Sequence, residues 1–533
     1  MAINTIGNVT GTYTITDGAG TVQSYLLYDY AEIIASGAGI DSNLVADSLE
    51  LIILGQIYAG TYGIDAQHNT NVDIQIDRDA AIRALQYSGI YVETSAASFI
   101  LNDGDVVGEN AGIKTWGASE SVIINNGSIT QTDQDSSQDA AVRMQDSGTG
   151  SARLINTGRI HGESNGVVIW GEGRDVDVEN YGIITGRSYG LSIDATNTNE
   201  IVNHGTVSGE WAMRFFGYDE SWSGATTTRI FNSGTVEGVG NTAIQFYSAY
   251  AGQSWTAALF LENSGEILGD IQVDQGGNRD DTIINSGLIV GETRLLGGDD
   301  YVQNSGEIVG SMDLGWGEDR FENTGLITMT IQAGNNNDVV VNTGTAGAVS
   351  LGSGDDTYDG RGGHVTGIDG YPGIHVWGGS GNDLFIIDDG SLLIDEDVDS
   401  GNDTVESAVS YQLADNIEEL TLLGGDDING DGNDLSNRLR GNMGSNRMDG
   451  GGETDYMYGR GGSDTMLGGD GDDFISGNSG WDIIRGEAGN DTLLGGAGRD
   501  VLDGGEGQDR ASYYNAQLTG VFASLQNPAN NTG

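Results

Sequence analysis

The chain contains no cysteine, two prolines and a single lysine, Lys114, in 533 residues. Without cysteine there are no disulfides, no thiolate nucleophile and no cysteine-ligated zinc. Rigidity must therefore come from packing, hydrogen bonds or hard oxygen-ligated metals. Cationic groups are scarce: 21 Lys and Arg face 79 Asp and Glu, for a formal charge of −58. Such a field repels nucleic acids and anionic membrane surfaces, so neither is an expected partner. It suits a compartment rich in calcium, outside the cell, where even weak sites fill. No apolar run reaches the roughly 18 residues of a membrane-spanning helix. The opening MAINTIGNVTGTYTITDGAG lacks a basic segment and an apolar core, so it does not read as a Sec-type signal peptide. The five histidines (His68, His161, His204, His364, His375) are scattered, with no HExxH, Gly-x-Ser-x-Gly or phosphate-binding loop. No enzyme activity is expected.

What the chain has in excess is glycine, 89 residues, or about a sixth of the total against roughly 7% in ordinary proteins. Much of it is periodic. Nine consecutive nonapeptides run from Gly432 to Ser512, including GGDGDDFIS, GNSGWDIIR, GEAGNDTLL and GGAGRDVLD. Position six holds Asp455, Asp464, Asp473, Asp482, Asp491, Asp500 and Asp509, preceded by Asn437 and Asn446 in the first two units. Position eight is apolar throughout, from Leu439 to Ala511. Glycines cluster in the first four places, where the backbone must turn sharply. The pattern G-G-x-G-x-D-x-U-x winds into a parallel β-roll around calcium.

These residues resemble the RTX, or hemolysin-type calcium-binding, repeat family over about eighty residues. The resemblance implies two nonapeptides per coil, with calcium ions between turns stacked on the same side. It implies ligation by position-six carboxylates of repeats n and n+2: Asp455 with Asp473, Asp464 with Asp482, Asp473 with Asp491, Asp482 with Asp500, Asp491 with Asp509. Carbonyls near positions two and four would join them, placing Gly469, Gly471, Gly496, Gly498, Gly505 and Gly507 in the ligand set. Asn437 and Asn446 offer neutral amides, so their turns are expected to be empty or merely capped. The family also implies type I secretion through an uncleaved C-terminal signal. The tail 513–533 resembles the middle of a longer array, and the chain reads as truncated.

Electrostatics explains the need for the ion. Coils stack about 4.8 Å apart, so aligned carboxylates repel by roughly 3–4 kcal/mol per pair at an effective dielectric near 20. A divalent cation with oxygen ligands converts that repulsion into cohesion. Without it the segment has a composition for disorder, and a calcium-dependent folding switch is expected.

A second, looser repeat runs from about 50 to 345. Its mark is Asn-x-Gly after a short apolar strand, at Asn102, Asn125, Asn156, Asn180, Asn203, Asn232, Asn263, Asn285, Asn304, Asn323 and Asn342. Each unit reads as three short alternating strands, the signature of a parallel β-helix, right-handed by the usual crossover chirality. Asn suits a turn repeated in every coil because it tolerates a left-handed backbone and can stack on its equivalents. Late coils carry Gly/Asp-rich turns that place Asp281, Asp300, Asp319 and Asp338 at 19-residue intervals, with Asp356 at 18. They suggest a second calcium ladder, with solvated turns as the alternative. Another RTX-like turn, GGSGNDLFI, holds Asp383.

The expected fold is all-β: a right-handed parallel β-helix continuing into a calcium-binding RTX β-roll. The expected divisions are a cap over 1–50, the β-helix over 51–350, an RTX-like connector over 351–431, the roll over 432–512 and the tail. On the helix, alternation sends Trp116, Trp170, Phe216 and Tyr247 outward beside Lys114, Arg143 and Arg214. This aromatic and cationic face could meet a polysaccharide, a neighbouring protein subunit, or a covering loop such as GYDESWSGATTT. The expected role is that of a secreted, calcium-dependent structural or adhesive surface protein, a surface-layer, filament or matrix component that self-associates. A polysaccharide lyase or C5-epimerase and a glycan-binding adhesin are the alternatives.

Overall fold

The computed structural model describes residues 4–512 and 522–524, apart from 16–22, 28–30, 37, 43–47, 135–138, 146–149, 172, 196, 218–226, 249–257, 274–278 and 368–374. Among the described residues there is no α-helix, and hence none long and apolar enough to cross a membrane. The chain divides into two compact units, Met1–Gly310 and Ser311–Gly533. Both are parallel β-helical solenoids.

In the first unit each coil is three strands paired in register with the coils on either side. Glu120–Asn125, Ser128–Gln131 and Ala140–Gln145 lie on Ser151–Asn156, Arg159–Gly162 and Asn165–Gly171. Inward-facing residues such as Ile113, Val167, Leu191, Met213 and Ile244 are fully buried. Each such side chain contributes roughly 1.5–3 kcal/mol of burial. Like residues stack on like: the rings of Phe215 and Phe246 lie 4.6 Å apart at 15°.

The Asn-x-Gly mark becomes a continuous amide ladder. The side-chain Nδ2 of Asn102 donates to Oδ1 of Asn125, and so on through Asn156, Asn180, Asn203, Asn232, Asn263, Asn285 and Asn304, each at 2.7–2.8 Å. All are buried. In the second unit Asn323 donates to Asn342 in the same way, at 2.8 Å. The expected left-handed backbone is absent: none of these asparagines has positive φ. The asparagine amide both donates and accepts along the stack, which an ionised carboxylate, an acceptor only, cannot do. The following glycine is selected by close approach. A Cβ on Gly205 would come 2.0 Å from the carbonyl oxygen of Gly182.

Two boundaries differ from expectation. The described strands ahead of residue 51 pair into the coils that follow: Asn4–Ile6 pairs with Gln23–Leu27, which pairs in turn with Ser48–Ile53. Val9–Thr10 likewise leads through Glu32–Ala35 to Gln56–Ala59. These coils lack the Asn ladder but alternate inward and outward as the later ones do. In the second unit the 351–431 segment is itself made of coils. Thr357–Asp359, Leu384–Ile387, Thr404–Ser407, Glu419–Leu422, Arg438–Arg440 and Tyr456–Tyr458 follow one another as parallel neighbours.

From there each coil has 18 residues and two faces. One is formed by Arg447–Gly452, Thr465–Asp470, Ile483–Ala488 and Val501–Glu506. The other is formed by Tyr456–Tyr458, Phe474–Ser476, Thr492–Leu494 and Arg510–Ser512. The position-eight residues from Leu439 to Leu502 fill the space between them and are at most 1% exposed. Of the tail, Phe522–Ser524 adds a strand to Val501–Glu506, and the remainder lies outside the described residues.

Candidate metal centre

From Gly450 onward, the turns of the 18-residue coils are built by left-handed backbone at positions two and four of each nonapeptide. Gly469, Gly471, Gly496, Gly498, Gly505 and Gly507 have φ of +109°, +149°, +93°, +153°, +91° and +135°. A Cβ on Gly471 would lie 1.7 Å from the Glu453 carbonyl oxygen in the coil below. At that position the turns stack at a distance only glycine allows.

Position six then enters the turn from within. Asp455, Asp464, Asp473, Asp482, Asp491 and Asp500 are at most 2% exposed, and Asp509 is 8% exposed. They form two files, one per edge of the roll. In each file, Oδ1 of one aspartate accepts the backbone N–H of the aspartate one coil earlier. Asp473 accepts from Asp455 at 2.9 Å, Asp482 from Asp464 at 2.9 Å and Asp491 from Asp473 at 3.0 Å. Asp500 and Asp509 accept from Asp482 and Asp491 at 3.2 Å. These contacts set the position-six aspartates of repeats n and n+2 side by side in adjacent coils.

The other oxygen has no protein donor. Oδ2 of Asp455, Asp464, Asp473, Asp482 and Asp491 is buried without a hydrogen-bond partner. It points into the space left by the position-one glycine: a Cβ on Gly468 would stand 2.3 Å from Asp473 Oδ2, and one on Gly486 2.0 Å from Asp491 Oδ2. Burial, with repulsion from the next aspartate in the file, pushes Asp455, Asp464 and Asp491 up to about 7 and Asp482 to about 6. The backbone N–H bonds oppose that shift without cancelling it. A buried acceptor-only oxygen, repeated coil after coil and lacking a donor, fits a hard divalent cation.

The two asparagines at position six show the contrast. Asn437 Oδ1 accepts the Asn433 N–H at 2.8 Å, and its Nδ2 donates to the Ile417 carbonyl at 3.1 Å. Asn446 does the same with Asn442 N–H and the Ile428 carbonyl. Both ends of each amide are used by protein, so these turns are closed by hydrogen bonds.

The same aspartate-to-backbone bond occurs upstream. In the second unit Asp319, Asp338, Asp356 and Asp383 each give their N–H to Oδ1 of the next rung, at 2.7–2.8 Å. The last acceptor is Asp403, which sequence reading passed over. Its signal was the Gly-Asn-Asp triplet at 401–403, repeating that at 381–383. Burial pushes Asp338 to about 8, Asp383 to about 7 and Asp356 to about 6. In the first unit Asp281 gives its N–H to Asp300 Oδ1 at 2.7 Å. Here a cation is already built in: Arg279 is buried beside both carboxylates, and its charge is the largest influence opposing the rise of Asp281 to about 6. These two rungs have less need of a metal than those of the second unit.

The aromatic face is more enclosed than alternation suggested. Phe216 is buried, stacked on Tyr247 with ring centroids 5.4 Å apart. The Arg214 guanidinium lies over the rings of Tyr189, Phe216 and Tyr247 and donates to the Tyr189 hydroxyl at 2.5 Å. Stacked neighbours in adjacent coils cover a ring that a single strand would expose. Trp116 and Trp170 remain 40% and 39% exposed, with Lys114 over Trp116 and beside the half-buried Arg143. The loop GYDESWSGATTT lies largely outside the described residues.

Buried carboxylate files on stacked glycine turns define a calcium-binding parallel solenoid. The RTX calcium-binding nonapeptide repeat family matches the chain four times, over 430–466, 440–475, 458–493 and 476–511. Residues 430–511 are an RTX repeat array with β-helical coils ahead of it, and the array binds several calcium ions. No curated protein and no solved structure shows significant similarity to it.

Proposed function

We propose that the protein is a secreted structural or adhesive component of a bacterial cell surface whose solenoid is held rigid by calcium. The supporting observation is the pair of aspartate files with buried, donorless Oδ2 atoms. Asp455, Asp464, Asp473, Asp482, Asp491, Asp500 and Asp509 would hold the ions together with turn carbonyls at Gly469, Gly471, Gly496, Gly498, Gly505 and Gly507. Asp319, Asp338 and Asp356 would continue the ladder. Asp281 and Asp300 are served by Arg279 instead. When bound, calcium supplies the positive charge that the files lack. The chain itself supplies the rest: glycine turns set the spacing, and position-eight side chains lock successive coils together.

A calcium-gated scaffold of this kind suits assembly with copies of itself outside the cell, where calcium is abundant and the strongly acidic surface is screened. Circular dichroism and electron microscopy with and without a chelator test it. Loss of strand signal and of ordered assemblies on chelation is expected; unchanged strand content and unchanged particles would overturn it. A second reading, glycan binding, draws on the exposed Trp116 and Trp170 beside Lys114. Retention on acidic polysaccharide that Trp116→Ala abolishes would favour it, and depolymerisation of that polymer would point to an enzyme.

A further inference from the structure

Outside the matched array, one rung departs from the pattern. Asp383 and Asp403 stack as the other aspartates do: Asp403 Oδ1 accepts the Asp383 N–H at 2.8 Å, and Asp383 Oδ1 accepts the Asp356 N–H at 2.8 Å. Between them enters a third carboxylate, Glu396, from the segment that follows the strand Leu393–Asp395. Its Oε2 accepts the Gly379 N–H at 3.1 Å and the Ser400 hydroxyl at 3.4 Å. Each of the three groups thus has one oxygen held by protein.

The other three oxygens, Asp383 Oδ2, Glu396 Oε1 and Asp403 Oδ2, are buried and have no hydrogen-bond partner. One carboxylate oxygen from each residue lies within 4.8 Å of those of the other two. Asp383 is 2% and Asp403 0% exposed. The cradle is made by Gly378, which stands at position one of GGSGNDLFI. A Cβ there would come 1.7 Å from Glu396 Oε1 and 2.7 Å from Asp383 Oδ2. In the array the carboxylate nearest that glycine is its own aspartate's, as Asp473 Oδ2 is to Gly468. Here it admits a glutamate as well.

We propose that Asp383, Glu396 and Asp403 form a three-carboxylate calcium site, distinct from the two-carboxylate rungs of the array, that fills first. All three donors are hard oxygens, which excludes the nitrogen and sulfur preference of zinc and copper. Ligands held on two coils at fixed spacing favour the larger, geometrically tolerant calcium over magnesium, which demands a tight octahedron. A third negative ligand raises affinity, because calcium sites are tuned chiefly by charge count and rigidity. The ion would fasten the coil of His375–Ser380 and Leu384–Ile387 to that of Thr404–Ser407. The inference is independent of the surface role and of ligation within the array.

Titration of the full chain with calcium, followed by native mass spectrometry, tests the site. Glu396→Gln keeps the shape and an acceptor for the Gly379 N–H but removes the charge. Asp397→Asn removes one charge from the exposed neighbouring residue. The first equivalent of calcium is expected to bind on the order of tenfold or more weakly in Glu396→Gln, and unchanged in Asp397→Asn. Equal behaviour of the two variants would overturn the proposal. Should Glu396→Gln fail to fold, terbium luminescence of the unaltered ligand set decides. Trp377 is the chain neighbour of Gly378, and Trp377→Phe is expected to abolish most first-equivalent emission. First-equivalent emission that depends on Trp481 instead would place the tightest ion in the array and contradict the assignment.

Discussion

Replacing Asp491 by asparagine should act in opposite directions with and without calcium. Asp491 sits inside its file, with Asp473 one coil below and Asp509 one coil above. Asparagine retains an oxygen to accept the Asp473 N–H, so the change removes charge and little else. In the metal-free roll the carboxyl is raised from 3.8 to about 7, first by burial and then by the charges of Asp473 and Asp509. The folded state therefore holds its proton more tightly than the unfolded chain does. Ionising it above pH 7 costs up to about 4 kcal/mol at 1.36 kcal/mol per unit. Water penetration and relaxation of the turn reduce this to roughly 2–4 kcal/mol. Asp491→Asn should recover that amount at pH 8 in chelator. With calcium the variant loses a ligand shared by two rungs. At a thousandfold excess over the dissociation constant each rung contributes about 4.1 kcal/mol, so about 8 kcal/mol is forfeited. Far-ultraviolet circular dichroism should thus show more of the roll's strand signal in the variant than in the parent in chelator, and urea unfolding should place the variant below the parent in calcium. A shift of the same sign in both conditions would reduce Asp491 to a structural hydrogen-bond acceptor and refute the reasoning.

Further outcomes follow from other parts of the structure. Because Asp455 and Asp464 are raised to about 7, their protons stay on the metal-free fold from about pH 4 up to that value and leave when calcium enters. Whatever strand signal the roll keeps in chelator should fall as pH rises through this window. Calorimetry in buffers of different ionisation enthalpy should show proton release near pH 6 and almost none at pH 9. Asn180→Ala leaves the Asn203 Oδ1 and Asn156 Nδ2 without their ladder partner. It should cost about 2–4 kcal/mol in thermal or urea unfolding, equally with and without calcium. In the array, Gly489→Ala sets a Cβ 1.7 Å from the Gly471 carbonyl oxygen at φ +142° and should unfold the local coils in hydrogen exchange. Glu487→Gly, at φ +75°, relieves left-handed strain and should stay within about 1 kcal/mol of the parent.

The sequence announces whatever recurs at fixed spacing. Nine-residue periodicity exposed the aspartate files and the buried position-eight column, and Asn-x-Gly exposed the amide ladder, because each coil repeats one contact with its neighbour. What lacks a period stays hidden. The described strands within 4–50 pair coil on coil but lack the Asn mark, and so read as a cap. Asp383 and Asp403 lie 27 and 20 residues along from the rungs before them, outside the 18- and 19-residue rhythm. Glu396 and Arg279 each occur once, so only coordinates reveal that they face the files. Phe216 was misplaced for a related reason. Strand alternation tells which side a ring leaves, but not that Arg214 and Tyr247 from its own and the next coil close over it.

The central claim is that the donorless Oδ2 atoms of the stacked aspartates exist to hold calcium. Crystals grown with calcium, with diffraction recorded at a long wavelength, locate the ions directly through their anomalous signal. The expected map has a peak beside each Oδ2 of Asp455, Asp464, Asp473, Asp482 and Asp491, and none at the amides of Asn437 and Asn446. Aspartate turns bonded only to water, with no anomalous density between them, would contradict the account.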